Sequence, residues 1–465
     1  MLSVSYLSDQ DVEAIHQTTL RILSEVGIVL GGEEALALLL DHGAARKDGR
    51  VCLPPELVER CLALCPPQVR LEGRGGQVTL GMGDLHVHNL GGARDVLDRP
   101  GGDLRPAAAR DVAEAARLLD ALENVTTVTP FYTPRDVPPA AMVPAMFGQT
   151  VRHTLKPING PGVQSGPEAR VLAEMIRVVF GEDAAVSLGV SPVSPLEFPA
   201  AISGAIVEVA RQGLPLGPLP CPQVGVSAPM TLAGALALQN AEALASITLA
   251  QLVRPGLPVV YHGRLAAVDM RSVMPIWGNP ETGIISAATV ALGHRYKLPV
   301  NVYGLCGSGN ALDIQSGYER AINALLPALA GADELSGIGE MAGGTFSCLA
   351  QMVIDDEIAA MIRRVLRGFA VDEETLALEV TASVMDGARK MFLGEDHTLD
   401  HMRGEVWMRT LGVQGADWRS WVEGGRETVI DRAEARVAAI LADHEVPPLP
   451  DDQSAELDRI LGSLG

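Results

Sequence analysis

The chain is poor in aromatic residues: Phe, Trp and Tyr together make 4% of 465 residues. Its six cysteines, Cys52, Cys61, Cys65, Cys221, Cys306 and Cys348, are scattered, and no two form a Cys-x-x-Cys pair. That spacing excludes a zinc signature and points to reduced, mostly buried thiols with no metal site. No apolar run reaches the roughly 18 to 20 residues needed to span a bilayer. The nearest, Leu232 to Val253, is interrupted by Gln239, Asn240, Glu242 and Gln251, which predicts a buried helix. The opening MLSVSYLSDQ lacks the basic and apolar regions of a signal peptide, so a cytoplasmic protein without a membrane partner is expected. Basic residues are outnumbered, 36 Lys and Arg against 57 Asp and Glu, for a net charge of −21. Nucleic-acid binding needs a basic surface and is excluded on that balance. An acidic chain suits a cationic substrate, or simply solubility. The glycines Gly304-x-x-Gly307-x-Gly309 depart from the dinucleotide spacing, and no P-loop lysine follows. There is no Gly-x-Ser-x-Gly elbow, and Cys306 has no histidine partner assignable from sequence.

What is present is a large apolar fraction, 47%, and a regular rhythm. From about Leu85, short Val- and Ile-rich strands alternate with helices. His86 to Leu90 precedes a helix Ala107 to Leu122. Val125 to Tyr132 precedes Ala140 to Thr154, and Pro157 to Val163 precedes Pro167 to Phe180. Ala185 to Val190 precedes Pro199 to Gln212, and Leu214 to Val224 precedes Leu232 to Val253. Pro258 to His262 precedes Gly283 to Tyr296, and Pro299 to Tyr303 precedes Asp313 to Leu329. Leu335 to Ile338 precedes Cys348 to Leu366. Eight such pairs of about 30 residues predict an α/β fold, a (β/α)8 TIM barrel with helical N-terminal and C-terminal extensions. The expected boundaries are a cap over 1–84, the barrel over 85–370 and an extension over 371–465. Ser8 with Asp11 resembles a capping box, Pro54 and Pro55 open a third helix, and Gln68 to Asn89 reads as a meander. The region from Val371 reads as helical and polar, ending in an amphipathic helix Glu427 to Ala442, with PPLPDDQ as a turn. An extension of this kind packs on the barrel or on another subunit, and a homo-oligomer is expected.

In such a barrel the active face lies where strands end. Polar residues there are His86 and His88, Tyr132, Asn159 with Gln164, Ser191 and Ser194, Gln223, Tyr261 with His262, Tyr303 with Ser308 and Asn310, and Glu340. The stretch Pro299 to Arg320, PVNVYGLCGSGNALDIQSGYER, has strand, small-residue loop and helix in order and is the centre of this set. His262 is either a site residue or a hydrogen-bonded core histidine. Glu340, among glycines, either balances a substrate cation or caps a helix. Tyr132, Tyr261, Tyr303 and Phe346 either form an aromatic cage for a quaternary ammonium group or pack the core. Asp269 and Glu281 belong to a lid or a solvated loop. Asp355, Asp356 and Glu357 read as a helix-surface or partner-facing cluster.

The stretches QVGVSAPMTLAGALALQNAEALASITLAQLVRPGLPVVY, DIQSGYER, AQMVIDDEI and HTLDHMRGEVW, with the loop Asp269-Met270-Arg271, resemble the trimethylamine methyltransferase (MttB-type) superfamily over nearly the whole chain. The resemblance implies a TIM barrel that passes a methyl group from an amine to the cobalt of a separate corrinoid protein. The archaeal trimethylamine enzymes carry pyrrolysine after the seventh strand; here the matching stretch, Gly307-Ser308-Gly309-Asn310, has only standard residues. The chain therefore looks like the non-pyrrolysine branch, which implies a quaternary amine such as glycine betaine. On that reading no cofactor is permanently bound, and cobalamin arrives on a cognate corrinoid protein. Glu340 and His262 are the expected catalytic residues. His88, Tyr132, Asn159, Gln223, Tyr261, Tyr303, Ser308, Gly309, Asn310 and Phe346 are expected to bind substrate. The competing classes are transfer from a tertiary methylamine, a lyase or aldolase barrel, and a non-catalytic binder of quaternary amines or corrinoid.

Overall fold

The computed structural model describes residues 4–464 except 388, 389, 413, 414 and 416. Short parallel strands, buried on both faces, are each followed by a helix that packs outside them. Tyr261–Gly263, Val300–Tyr303, Glu334–Ile338 and His86–Asn89 form one parallel sheet in that order. Leu216–Pro218, Ser187–Val190 and Asn159–Gly162 form a second. Single bridges join them, Leu216 to Val259 on one side and Val128 to Ile158 on the other. The Thr126 N–H donates to the Val87 carbonyl at 2.9 Å beside the latter junction.

The regular ladders thus make an α/β fold of two parallel sheets, where the rhythm of the sequence predicts one eight-stranded ring. Two of the expected strands account for the difference. In 125–132 the threonine side chains take over ladder positions: Thr126 Oγ1 accepts the Val87 N–H at 2.8 Å, and Thr127 Oγ1 donates to Glu334 at 2.5 Å. Leu214 to Val224 contracts to Leu216–Pro218 because Pro215, Pro218, Pro220 and Pro222 have no N–H to give a ladder.

Helix boundaries follow local chemistry. Asp313 accepts the Ser316 N–H at 3.2 Å at the head of Ile314–Leu329, and Pro280 opens Pro280–Arg295. The box of Ser8 and Asp11 closes reciprocally at the head of Asp9–Arg21. The hairpin Val69–Gly73 with Gly76–Leu80 covers the N-terminal ends of the strands, its Val69, Leu71 and Leu80 packing with Val260. Leu232–Val253 is long and apolar enough to cross a membrane, yet 83% of its most apolar window is buried inside the protein.

Three expectations are corrected here. Asp355, Asp356 and Glu357 are buried, because each carboxylate accepts backbone N–H groups: Gly339 at 2.8 Å, Asn124 at 2.8 Å, and Leu411 at 2.5 Å. PPLPDDQ is not all turn, since helix Asp451–Gly462 starts within it behind Pro450. The region after Val371 is helical but less polar than expected: Leu376, Leu378 and Leu393 stand in solvent.

Glu242, on Leu232–Val253, is buried and takes the Leu196 N–H at 2.9 Å and the Ser194 hydroxyl at 2.8 Å. Burial pushes its carboxyl up to about 7, those two bonds opposing. The folded state therefore holds this proton more tightly than the unfolded chain. Its contribution is complete below about pH 4.5, the unfolded value, and is lost as pH rises through about 7. Glu242→Gln should remove a loss of stability on the order of 2–3 kcal/mol across that interval. Urea unfolding at a series of pH values checks it: parallel pH profiles for the two proteins would refute the assignment.

Candidate functional site

A cavity of about 440 Å³ opens at the C-terminal ends of the parallel strands. Its polar walls are His88, Asn159, His262, Arg264, Tyr303 and Ser336, and Met142, Val143 and Met146 form an apolar side. Strand register explains the layering. His262 pairs with Asn301 and Asn301 with Glu334, so these three side chains share one level. Tyr303 pairs with Ser336 and Ser336 with His88, one level further out. Alternation along each strand, period two, makes the layers.

The deeper layer is a hydrogen-bonded bridge. Glu334, fully buried, accepts from Asn301 Nδ2 at 2.5 Å, from Thr127 and from Asn159 Nδ2. Asn301 Nδ2 also lies 2.8 Å from His88 Nε2. The Arg264 guanidinium donates to Asn301 Oδ1, and at 3.0 Å to each of the Gly263 and Asn301 carbonyls. Its Cζ lies 4.7 Å from the centre of the Tyr303 ring. Every acceptor of Arg264 is neutral, and no carboxylate oxygen of the described residues lies within 4.0 Å of it. Arg264 is thus a buried cation on a pocket wall without a counter-ion of its own.

Several buried polar atoms around the floor have no protein partner: both ring nitrogens of His262, His88 Nδ1, Asn159 Oδ1 and Ser187 Oγ. Buried polar atoms are nearly always hydrogen-bonded, so a cluster of exceptions in one cavity marks a place for a polar ligand or water. Gly217 makes room for it, since a Cβ there would sit 3.0 Å from His262 Nε2. Burial, with help from Arg264 and His88, holds the His262 imidazole well below its ordinary value, and burial lowers His88 too. Both rings are neutral near pH 7 and do not repel a cation. Cys221 opens onto the cavity with part of its surface exposed, while the protein packed around it pushes its thiol up to about 11; Cys306 is fully buried, and burial raises its thiol well above the ordinary value. Neither is a ready thiolate.

Of the residues singled out in the sequence, His88, Asn159, His262, Tyr303, Gln164 and Ser191 meet in this cavity. Tyr261 does not: it alternates with His262, so its hydroxyl reaches out to Asn240 Oδ1 at 2.7 Å in the helix layer. Tyr132 lies in a small cleft beside Arg105 and Asp111, and Phe346 pairs in a separate sheet with Asp95. Four aromatics therefore do not form one cage; Tyr303 alone of that set faces the cavity. Gln223 is held by its backbone beside Ala266 and Ser227.

Glu340 is also placed elsewhere. It is buried behind the loop, accepting the Gly307 N–H at 2.8 Å and the Gly344 N–H at 2.6 Å, with Arg320 at 3.9 Å. Burial pushes its carboxyl up to about 7 against those contacts. Ser308 and Gly309 are likewise fastened down, and Asn310 faces solvent. Ser308 Oγ accepts the Trp277 and Gly278 N–H groups at 3.0 and 2.9 Å, and the Gly309 carbonyl accepts from Ala342 at 3.1 Å. Trp277 in turn stacks 4.4 Å from Tyr303. These loop residues support the wall from behind. Asp269 ion-pairs with Arg271 at 3.1 Å in an antiparallel hairpin, Ala267–Asp269 with Met274–Ile276.

Sequence reasoning missed Arg264, Asn301, Glu334 and Ser336. A signal was there for two of them. Asn301 stands between two valines in the same alternation as Tyr303, and Arg264 follows His262 at the spacing of one face.

A polar cavity at the strand ends is where α/β enzymes place their active sites. The family model described as trimethylamine methyltransferase (MTTB) matches residues 2–461, and the chain belongs to that family. Members of the family are methyltransferases, and this chain is one of them. It is 32% identical to the trimethylamine methyltransferase MttB of Desulfitobacterium hafniense, over 98% of this chain and 92% of that protein. It is 28% identical to MttB of Methanosarcina barkeri over 99% and 95%. It is 29% identical to a glycine betaine methyltransferase of Desulfitobacterium hafniense over 99% and 97%. Among solved structures, the monomethylamine methyltransferase MtmB of Methanosarcina barkeri superposes with a TM-score of 0.51 at 14% identity, covering 93% of this chain and 88% of that one, which shows a shared α/β fold.

The Asn301 bridge gives a direct test of the geometry. Asn301→Leu leaves both Glu334 and Arg264 short of a partner in a buried layer, which costs about 2–4 kcal/mol. Denaturant unfolding should register that loss; a change below about 1 kcal/mol would mean the bridge does not form.

Proposed function

We propose that this chain moves a methyl group from a quaternary amine bearing a carboxylate, a glycine betaine-like compound, to the reduced cobalt of a corrinoid held by a separate protein. The observation that carries the reading is Arg264, a buried guanidinium on the cavity wall whose acceptors are all neutral. A substrate carboxylate supplies the missing anion, in the planar geometry a guanidinium favours. The quaternary nitrogen then falls toward the Glu334 side, where Asn159, Asn301 and Thr127 hold the carboxylate in place. Neutral His88 and His262 line the space between. A tertiary methylamine, the second reading, has no group to answer Arg264.

The corrinoid supplies the nucleophile. No proton has to leave a quaternary ammonium, so this chain needs no general base; its residues bind, orient and desolvate. Arg264 and Tyr303 fix one end of the substrate, and the methionine side excludes water from the other. Gly91, Gly92, Gly160 and Gly162 at the rim add no side chains to obstruct an approaching cofactor face. In this reading the bridges at Val128 and Val259 close the two sheets into one (β/α)8 ring, with the cavity at its mouth. Glu340 acts as a positioning residue for the loop. The apolar side chains exposed on Leu376, Leu378 and Leu393 support association of like chains.

The test is a spectroscopic one. The protein is mixed with its corrinoid partner in the Co(I) state and with glycine betaine, choline or trimethylamine, and the methyl-Co(III) band is followed. Betaine should react at least about 100-fold faster than choline, which keeps the ammonium and loses the carboxylate, because an unanswered buried charge is costly. Arg264→Met should narrow that ratio to within about tenfold, mainly by slowing betaine. Equal rates for choline and betaine, or trimethylamine as the sole donor, would overturn the assignment.

A further inference from the structure

A second cavity, of about 280 Å³, lies where the C-terminal end of helix Leu349–Arg367 meets helix Val429–Asp443 and the loop after Ala109–Ala121. Arg363, Arg364, Arg367 and Arg436 line it, together with Trp407, Asn124 and the carboxylates of Glu123 and Asp356. It is remote from the methyl-transfer cavity, with which it shares no lining residue.

The guanidiniums outnumber the carboxylates, in a chain whose net charge is −21. None of the four has a carboxylate oxygen of a described residue within 4.0 Å. Asp356 accepts the Asn124 N–H at 2.8 Å, and its charge also reaches Arg436 and Arg363, offsetting part of theirs without an ion pair within 4.0 Å. Arg364 donates to the Glu405 carbonyl at 2.7 Å and to Gly368 at 2.8 Å, and Arg367 donates to the Gly404 carbonyl. Arg363 has only a long contact, 3.5 Å, to the Asn124 carbonyl. These bonds use a minority of the N–H groups, since each guanidinium carries five. Like charges gathered in one concavity repel, and a multiply charged anion is the ligand that relieves this. Arginine forks match phosphate oxygens, and Trp407 offers a flat apolar wall to a ring.

We propose that this cavity is a binding site for a nucleotide-sized organic phosphate, with the phosphates among Arg363, Arg364, Arg367 and Arg436 and the base against Trp407. The proposal does not depend on the identity of the methyl donor. Because Arg364 and Arg367 also hold the carbonyls of Gly404 and Glu405, an occupant would fasten the 404–410 segment to the body.

The experiment is titration calorimetry of the full chain with AMP, ATP and inorganic pyrophosphate, against sulfate at matched ionic strength. Arg436 meets Asp356 only through its field, with no hydrogen bond or ion pair within 4.0 Å to a described residue, so Arg436→Gln should leave the unliganded unfolding midpoint within about 2 °C of the parent. That variant should weaken ATP about tenfold, as expected for loss of one charge-assisted contact, and Trp407→Ala should weaken ATP but not pyrophosphate. Ligand should also slow proteolysis between residues 404 and 410. Binding no stronger than sulfate, or unchanged in Arg436→Gln, would overturn the site. Pyrophosphate binding as tightly as ATP would overturn the nucleotide assignment.

Discussion

The side-chain amide of Asn301 is the contact on which the cavity at the strand ends depends. Its oxygen accepts from Arg264 and its nitrogen donates to Glu334, so one neutral group stands between a buried cation and a buried anion. A primary amide carries a donor and an acceptor on one planar, uncharged group, which suits it to this bridge. Had Arg264 met Glu334 directly, the two charges would have neutralised each other and the wall would carry no field. The bridge holds them in place and apart. The resulting dipole across the floor matches a zwitterion, which is the charge pattern of a betaine and not of a simple amine. Desolvating both groups is expensive, and the many neutral partners around them offset only part of that cost. Such an arrangement is at its most favourable with a ligand in place.

Around this floor, support runs outward through one chain of contacts. Tyr303 lies against Arg264, Trp277 backs Tyr303, and Ser308 takes the Trp277 N–H. Glu319 and Glu340 then hold Ser308 and Gly307 by their backbone N–H groups. Arg320 sits between Glu340 and Asp355, 3.3 Å from the latter. Glu319, Glu340 and Asp355 are therefore engaged as acceptors for loop backbone. A small-residue loop has few side chains to order itself, and buried carboxylates do that work from behind. The same demand explains why Asp355, Asp356 and Glu357 are buried on a helix whose sequence reads as a charged surface.

The rhythm of strand and helix was legible because each strand is a short apolar run bounded by breakers and each helix is longer and amphipathic. The cavity residues His88, Asn159, His262 and Tyr303 were legible for a related reason: a polar side chain ending an apolar strand has few other uses. What was not legible was direction. Tyr261 and His262 are neighbours on one strand and cannot both face inward, a conflict that alternation alone reveals. Glu340 follows Gly339, whose φ of 81° turns the chain away from the strand it leaves, and nothing in the sequence fixes that turn. Glu334 opens its strand beside Asp333, where acids ordinarily meet solvent; its burial depends on Thr127, Asn159 and Asn301 arriving from three distant segments. Family resemblance carried the activity over the full length, but it said nothing about which side chain answers a substrate charge.

The scarcity of aromatics in the cavity bears on how the proposed quaternary ammonium would be held. Tyr303 presents a ring, yet Arg264 already lies over it, and a second cation at the same face would be repelled. For the proposed betaine-like substrate, affinity for the ammonium end would accordingly be modest, and the distant carboxylate would have to supply the grip. That division is useful for methyl transfer. Binding energy gathered at a part of the substrate that does not react can be used to align the bond that does, whereas a tight cage around the nitrogen would stabilise the ground state it is meant to leave. In the proposed transfer, an anchor at one end and a looser, partly apolar seat at the other would therefore serve the reaction better than a cage.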